Sequence, residues 1–534
     1  MVVETEIYKK LHDLSERIRH LLTNSVTVSI EPENLLCSIE CNVDALPVVC
    51  KQLVSRIGLS FATMIVEESN EEWLIQYVFY SSRIHILVNV MVRQEIDNPS
   101  FPSMSSIVHA LDWQEREAED LFGIVFEGHP VLGDFVLHEE WPEGVNPMRR
   151  TFRPEMPYPH KETRPEWQPR RILQEPGAFM MPIGPIFSGI SESAHFLLET
   201  VGEDVVRSIP RFFYKYRGVE KIAEGKHPME VVLLAERFAG TSAFAHSLAF
   251  CHAVESIAGV EVPERAVQIR ILFAEFERFR HHISCIEAIC NSTGLAVAAS
   301  QAAILEEEAL RLSCEFAGHR YLFGLNIPGG LSKDLSKEDC TGLLKRTDNI
   351  LKRLDRLYKM LQYSSSFLDR LEEVGIICTE DAIDYGLVGP VARASGVCND
   401  IRKALPYKGY ENVEFSVPCE TEGDGYARLR VFFQEAFQSV MIMSQTIERL
   451  SDEPIYIPIK DYPEGSAIGW VEAPAGAAFH YVRIDSRGRV IRYRLTTPSF
   501  TNWHGFHLAA EGFAFQDFPI ILATFGLSIA ESDR

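Results

Sequence analysis

The sequence predicts an α+β protein, with an N-terminal domain of mixed helix and strand followed by a larger, mostly helical domain. Three observations carry this. Between Phe61 and Val92 lie three runs of β-branched and aromatic residues of strand length, separated by polar turns. Beyond residue 179 the apolar residues recur at three- and four-residue intervals, the period of helices with one buried face. Between the two, Pro142 to Pro185 holds ten of the 28 prolines, too many for long helices or central strands.

Composition sets the bounds. A chain of 534 residues, 46% hydrophobic and 24% charged, is long enough for two or more domains with sizeable cores. The net charge of −23 repels phosphate backbones and anionic lipid, so nucleic acid is not an expected partner and proteins are. No run reaches the ~20 apolar residues of a membrane span, and MVVETEIYKKLHDL lacks the apolar core of a secretory signal. The chain therefore reads as cytoplasmic. Its 11 cysteines are scattered and odd in number, which argues against a disulfide framework and for ordinary buried thiols.

In chain order, residues 1–140 form the first domain. Leu46 to Ile57 has helical spacing, whereas Phe61–Glu67, Leu74–Tyr80 and Ile84–Val92 read as strands of a small antiparallel sheet covered by helices on one face. In DWQEREAEDLFGIVFEGHP, from Asp112 to Pro130, the charges at Glu115, Arg116, Glu117 and Glu119 suggest a polar rim around Leu121 and Phe122, suited to docking; a solvated helix end is the plainer alternative. Residues 141–178, with Arg149, Arg150, Arg153, Arg164, Arg170 and Arg171 among the prolines, read as an extended linker.

The second domain, 179–534, is built from periodic segments. Phe244, Leu248, Cys251 and Val254 line the buried stripe of one helix and leave Ala239, Ser242 and His246 on another face. Glu264 to Ile283 is a second such helix; His281 and His282 point about 100° apart and make no two-ligand metal face, so His282 is expected to hold a structural hydrogen bond. Leu335 to Leu371 reads as an antiparallel helix pair on the surface. Tyr481–Asp485 and Arg489–Leu495 flank Arg487-Gly488 as a β-hairpin.

Several of these segments carry motifs. Asp112 to Pro130 resembles the signature of the C subunit of NADH-quinone oxidoreductase, respiratory complex I. ERFAGTSAFAHSLAFCHAVE resembles the first metal-ligand helix of [NiFe] hydrogenase large subunits, in particular the membrane-bound group related to formate hydrogenlyase. Arg217-Gly218 and Glu220-Lys221 resemble a signature of the hydrogenase relatives, and the stretch Val388 to Tyr410, with Arg393 and Asp400, resembles both that group and the D subunit of complex I. The resemblance spans nearly the whole chain and implies a fusion of two halves, one like the complex I C subunit and one like its D subunit and the hydrogenase large subunit.

Aligned on that pattern, Arg237, Gly240 and His246 are kept, but the four metal-binding cysteines become Ala239, Ser242, Ser528 and Glu531. Neither a methyl group nor a hydroxyl replaces a thiolate at a soft Ni–Fe centre. Phe187, Gly240 and Ala475 stand where the families carry the histidine, tyrosine and arginine that reach into the active or quinone cavity. By the resemblance Glu220 is a proton-transfer group, expected beside Arg217 and His246 with a raised pKa; a Glu220 salt-bridged to Arg217 or Lys221 is the alternative. Arg393 and Asp400 either offer donors to a cavity or fix their loop in a buried ion-pair network.

The implied function is the peripheral-arm large subunit of a membrane-bound, complex I-like oxidoreductase on the cytoplasmic side of the inner membrane. It would hold no intrinsic cofactor and no Ni–Fe centre. Electrons would come from the iron–sulfur cluster of a small partner resembling the complex I B subunit and pass to a quinone or another acceptor. The membrane partners would resemble the H subunit and the antiporter-like subunits. Glu220, His246, Arg217, Arg393 and Asp400 are the candidate catalytic residues. A second reading is a non-catalytic coupling or scaffold subunit of an ion-translocating complex. A third, an active hydrogenase, would need a centre without thiolates.

Overall fold

The computed structural model describes residues 2–22, 26–31, 35–158, 173, 176–187 and 192–534. It divides into two compact units: Met1–Arg170 with Arg211–Tyr216 and Asp384–Gly386, and Arg171–Pro210 with Arg217–Ile383 and Leu387–Arg534. Arg164, Arg170 and Arg171 of the expected linker lie outside the described residues.

The first unit contains α1 (Val2–Leu22), β1 (Val26–Glu31), β2 (Leu36–Cys41), α2 (Leu46–Gln52), β3 (Ser60–Glu68), β4 (Glu72–Ser81), β5 (Ile86–Glu95), β6 (Ser100–Pro102), α3 (Asp112–Phe122) and β7 (Val125–Glu127). The three runs predicted as strands are β3, β4 and β5. They pair antiparallel, as expected, but β2 adds to β5 in parallel, so the five-stranded sheet β1-β2-β5-β4-β3 is mixed. A parallel neighbour requires a crossover, and the crossover passes through α2, β3 and β4.

Helix α3 corrects the expected docking rim. Glu115, Glu117 and Asp120 are buried along with Leu121 and Phe122. Glu115 accepts from Met104 N at 2.7 Å and from Ser103 Oγ. Asp120 Oδ2 accepts from the backbone of Phe135, Val136 and Leu137 at 2.6–3.0 Å. The carboxylates fasten the loops that follow the helix inside this unit. Burial pushes the Glu115 carboxyl up to about 7.

The second unit begins with β8 (Ala178–Ile183), β9 (His195–Val201) and β10 (Asp204–Arg211), followed by helices α4 (Val219–Ala223), α5 (Pro228–Ala235), α6 (Ala243–Ala258), α7 (Glu264–Ser292) and α8 (Ala296–Ala317). After the short hairpin β11 (Asn326–Ile327) and β12 (Gly330–Leu331) come α9 (Lys337–Gln362), α10 (Ser365–Leu368), α11 (Thr379–Asp384), α12 (Gly389–Ala394), α13 (Ile401–Ala404) and α14 (Gly425–Glu448). The chain then forms β13 (Gly465–Ala473), β14 (Gly476–Ile484), β15 (Val490–Thr496), α15 (Pro498–His504), α16 (Phe506–Ala510), β16 (Phe513–Ala514), α17 (Phe518–Phe525) and α18 (Ile529–Ser532).

The region expected as a surface helix pair is mostly one long helix, α9. Its buried residues Cys340, Leu343, Thr347, Ile350, Leu354, Leu357 and Leu361 keep one stripe over its whole length, and Gly342, Asp348 and Asn349 are absorbed into the helix without breaking it. The Tyr481–Leu495 hairpin is β14 and β15, with β13 added antiparallel on the other side of β14. Helix α6 lies against β13 and β14, at a distance set by Gly469, where a Cβ would come 2.0 Å from Ala249 O. Helix α7 packs against α14 and α8. Ala239 and Ser242, expected on a face of α6, fall just before its first turn.

Candidate functional site

The positions expected to replace thiolate ligands converge where the start of α6 meets α15 and the C-terminal α18. Ser242 Oγ donates to Glu531 Oε1. On the other carboxylate oxygen, Ser499 donates to Glu531 Oε2 through both Oγ and its backbone N–H. His246 Nε2 stands 3.5 Å from Glu531 Oε1. Ser528 joins through its N–H, which donates to Ser499 Oγ at 3.0 Å, and through its Oγ, which accepts from Glu531 N at 3.4 Å. Ala239 belongs to the adjoining apolar wall with Val219, Phe238, Phe250 and Val482. Burial alone would raise the Glu531 carboxyl, but His246 and the two serine hydroxyls hold it below the usual carboxylate range.

A hydrogen-bonded file of rings leads away from Glu531. His246 Nδ1 lies 3.0 Å from His480 Nε2, and His480 Nδ1 lies 2.8 Å from the Tyr493 hydroxyl. Donor and acceptor roles along this file follow the tautomer of each ring. Burial, His246 and Arg534 keep His480 neutral. Behind the cluster, Glu277 accepts from Phe244 N at 2.8 Å and Ala245 N at 2.9 Å, closing the exposed N–H groups at the start of α6. Burial raises its carboxyl to about 7.

Glu220 stands in a different setting from the one expected. It is fully buried at the first turn of α4, and its carboxylate takes Arg492 Nη1 at 2.9 Å, Arg494 Nη1 at 3.3 Å and Leu495 N at 3.2 Å, with Arg534 Nε at 3.9 Å. Arg217 pairs with Glu192 and the Asp533 carbonyl, while Lys221 pairs with Glu224 at 2.7 Å. Burial would raise the Glu220 carboxyl, but Arg494, Arg492 and Arg534 together hold it low, the reverse of the expected direction. A proton carrier must gain and lose a proton near working pH; the three arginines around this carboxylate favour its ionised form.

Arg393 and Asp400 sit in a buried ionic lattice. Arg393 Nε donates to Glu435 Oε1 at 2.6 Å and its Nη1 to Glu472 Oε1 at 2.8 Å. Arg402 bridges Asp400 (2.6 Å) and Glu275 (2.8 Å), and Glu275 also accepts from Tyr410 and Ser439. His282 has its hydrogen bond, to Glu435 Oε2 at 3.0 Å. Despite burial, Arg402, Arg393 and Arg278 bring the Asp400 carboxyl down to about 2. The lattice ties α7, α12, α13, α14 and β13 together.

Phe187 is half-buried, Ala475 is buried, and Gly240 faces the Tyr321 ring. Sequence reasoning missed Ser499, His480, Tyr493, Arg492, Arg494 and Arg534. For two of them a signal existed: Arg492 and Arg494 share one face of a strand, and two arginines in an otherwise apolar hairpin strand imply a buried anion. Ser499 had none, because its partner is 32 residues away. Among the described residues no group of three or more His, Cys, Asp or Glu side chains is arranged to hold a metal ion, and no helix is long and apolar enough to cross a membrane.

Comparison with known proteins gives three family matches. Residues 39–158 match the respiratory-chain NADH dehydrogenase 30 Kd subunit. Residues 300–462 and 456–534 match the respiratory-chain NADH dehydrogenase 49 Kd subunit. Residues 217–285 match nickel-dependent hydrogenase. Formate hydrogenlyase subunit 5 of Escherichia coli (strain K12) is 30% identical over 450 residues, covering 83% of this chain and 79% of that protein. Hydrogenase-4 component G of the same strain is 29% identical, covering 84% and 78%. The NADH-quinone oxidoreductase C/D subunit of Acinetobacter baumannii (strain AYE) is 28% identical, covering 84% and 82%.

Proposed function

Because this chain belongs to the family of formate hydrogenlyase subunit 5, alongside the fused C/D subunit of complex I-like NADH-quinone oxidoreductases, we propose that it is the peripheral-arm large subunit of a membrane-bound oxidoreductase that works without a Ni–Fe centre. Its electrons run through the iron–sulfur cluster of a partner like the complex I B subunit, and its membrane partners resemble the H subunit and the antiporter-like subunits. Within that assembly this chain is the coupling framework. Its buried ionic lattice holds five elements as one body, able to carry a displacement from the iron–sulfur side to the membrane side.

The observation that carries the reading is Glu531. Both of its oxygens are bonded to Ser242 and Ser499 with His246 alongside, inside a fully buried cluster. The residues here do not fit a nickel–iron group: the donors are oxygen and nitrogen, and a soft centre needs thiolates. Cys251 and Cys285, elsewhere in the second unit, are buried thiols that desolvation pushes far above the usual range, so they remain protonated. Reduction of a quinone in the altered cavity has weaker support, since the side chains of Phe187, Gly240 and Ala475 offer no hydrogen-bond donor.

Elemental analysis of the purified native assembly tests this. Iron from the partner cluster is expected, with nickel far below one atom per chain and no hydrogen uptake. Nickel near one atom per chain that survives chelation would overturn the reading.

A further inference from the structure

Nine of the 11 cysteines are free thiols, and seven of those are buried. The remaining two, Cys398 and Cys419, are bonded to each other across 21 residues. Cys398 is exposed and Cys419 half-exposed, so the bond lies at the protein surface. The scattered cysteines argue against a disulfide framework and for ordinary buried thiols; this single pairing departs from that reading because the chain brings two distant loops together.

The two bridged segments frame the ionic lattice. Glu420 N donates to Arg393 O at 2.9 Å, Gly396 N to Glu420 O at 2.7 Å, and Gly423 N to Ala394 O at 2.9 Å. The short loop from Gly396 to Asp400, which carries Cys398, supplies two partners to the lattice. Asn399 O accepts from Arg393 Nη1 at 3.0 Å, and Asp400 pairs with Arg402 and lies 3.6 Å from Arg393. Oxidation therefore pins to the neighbouring segment the very loop that supplies Asn399 O and Asp400 to Arg393.

We propose that Cys398–Cys419 is a reversible thiol modification site, reduced by a dithiol, that sets the mobility of the 396–400 loop and through it the stiffness of the lattice. Exposed disulfides are the readily reducible ones. In the exchange, one thiolate of the dithiol attacks a sulfur of the bridge and breaks its S–S bond. The second thiolate then closes the dithiol into its own disulfide, and Cys398 and Cys419 leave as two thiols, having taken two electrons and two protons. Cys378, exposed on the adjoining segment, is not the reductant: its thiol donates to Asp381 Oδ2 at 3.0 Å, and thiolate is the attacking form. The backbone hydrogen bonds named above do not depend on the bridge, so reduction loosens the loop without unfolding it.

The test uses the purified full chain, incubated with dithiothreitol or with oxidised glutathione and quenched in acid. Cysteines are counted by differential alkylation and mass spectrometry, and loop mobility is read by backbone hydrogen exchange. Cys398 and Cys419 should be labelled only after reduction, the seven buried thiols in neither state, and exchange at 396–400 should rise by about tenfold on reduction and fall back on reoxidation. Cys419→Ser should exchange at the fast rate in both states. Three results would each overturn the proposal: a bridge that resists dithiothreitol in the folded chain, two thiols that stay free under oxidant, or a Cys419→Ser loop as slow as that of the oxidised protein.

Discussion

Glu220 shows how far a residue's surroundings decide its chemistry. As an isolated carboxylate in a cleft it would be a proton carrier; surrounded by Arg492, Arg494 and Arg534 it is a fixed anion that holds β15 and the C-terminus to α4. Removing one partner from a buried ion cluster leaves the others uncompensated. Glu220→Gln should therefore destabilise the purified chain by about 3–5 kcal/mol in chemical denaturation, while electron transfer per folded, assembled molecule stays unchanged. A variant as stable as the parent but with turnover lost would return Glu220 to proton transfer. The charged residues of α3 carry the same lesson, since Glu115 and Asp120 bond inward where the sequence pattern alone suggests an exposed rim.

At the scale of elements, the candidate site depends on how closely α6 rests on the β13–β14 hairpin. The contact is made possible by one missing side chain: a Cβ on Gly469 would meet Ala249 O at 2.0 Å and Ala253 N at 2.7 Å, both rigid helix backbone. Gly469→Ala should force the helix off the sheet and lower the thermal midpoint, at a cost of about 3 kcal/mol by the usual scale of overpacking. Unchanged stability would mean that α6 and β13 have slack that the structure does not show. The same displacement would pull His246 on α6 from His480 on β14, which face each other at 3.0 Å.

For the whole molecule, two sets of buried carboxyls oppose each other in pH. Glu220, Glu275, Glu435, Glu531 and Asp400 have folded-state values held below their ordinary ones, because arginines or hydrogen bonds outweigh burial. Their contribution is present above the unfolded values and is lost as pH falls toward the folded ones. Glu115 and Glu277 are raised to about 7 by burial. There the unfolded chain releases its protons near 4.5 while the folded chain keeps them, so stability declines as pH rises from about 4.5 to 7. Stability should peak near pH 5, about the crossing of the two effects, and calorimetry in acidic, mildly acidic and mildly basic buffer should give its highest midpoint in the middle one. A midpoint that climbs steadily into the basic range would contradict a placement of Glu115 and Glu277 in which burial outweighs their hydrogen bonds.

The sequence by itself determined the α+β class, strands β3, β4 and β5, helices α6 and α7 and the hairpin of β14 and β15, because local periodicity and turn chemistry are written in neighbouring residues. Through motif resemblance it also determined the family. Tertiary structure alone decided the parallel pairing of β2 with β5, the single long helix α9, the inward turn of the α3 carboxylates, the Cys398–Cys419 bridge and the partners of Glu220 and Glu531. The physical reason is distance along the chain. Glu531 meets Ser242 from 289 residues away, and Glu220 meets Arg492 from 272. Whether a buried carboxylate is a proton carrier or a fixed anion depends on which cations the fold brings to it, and no local pattern encodes that.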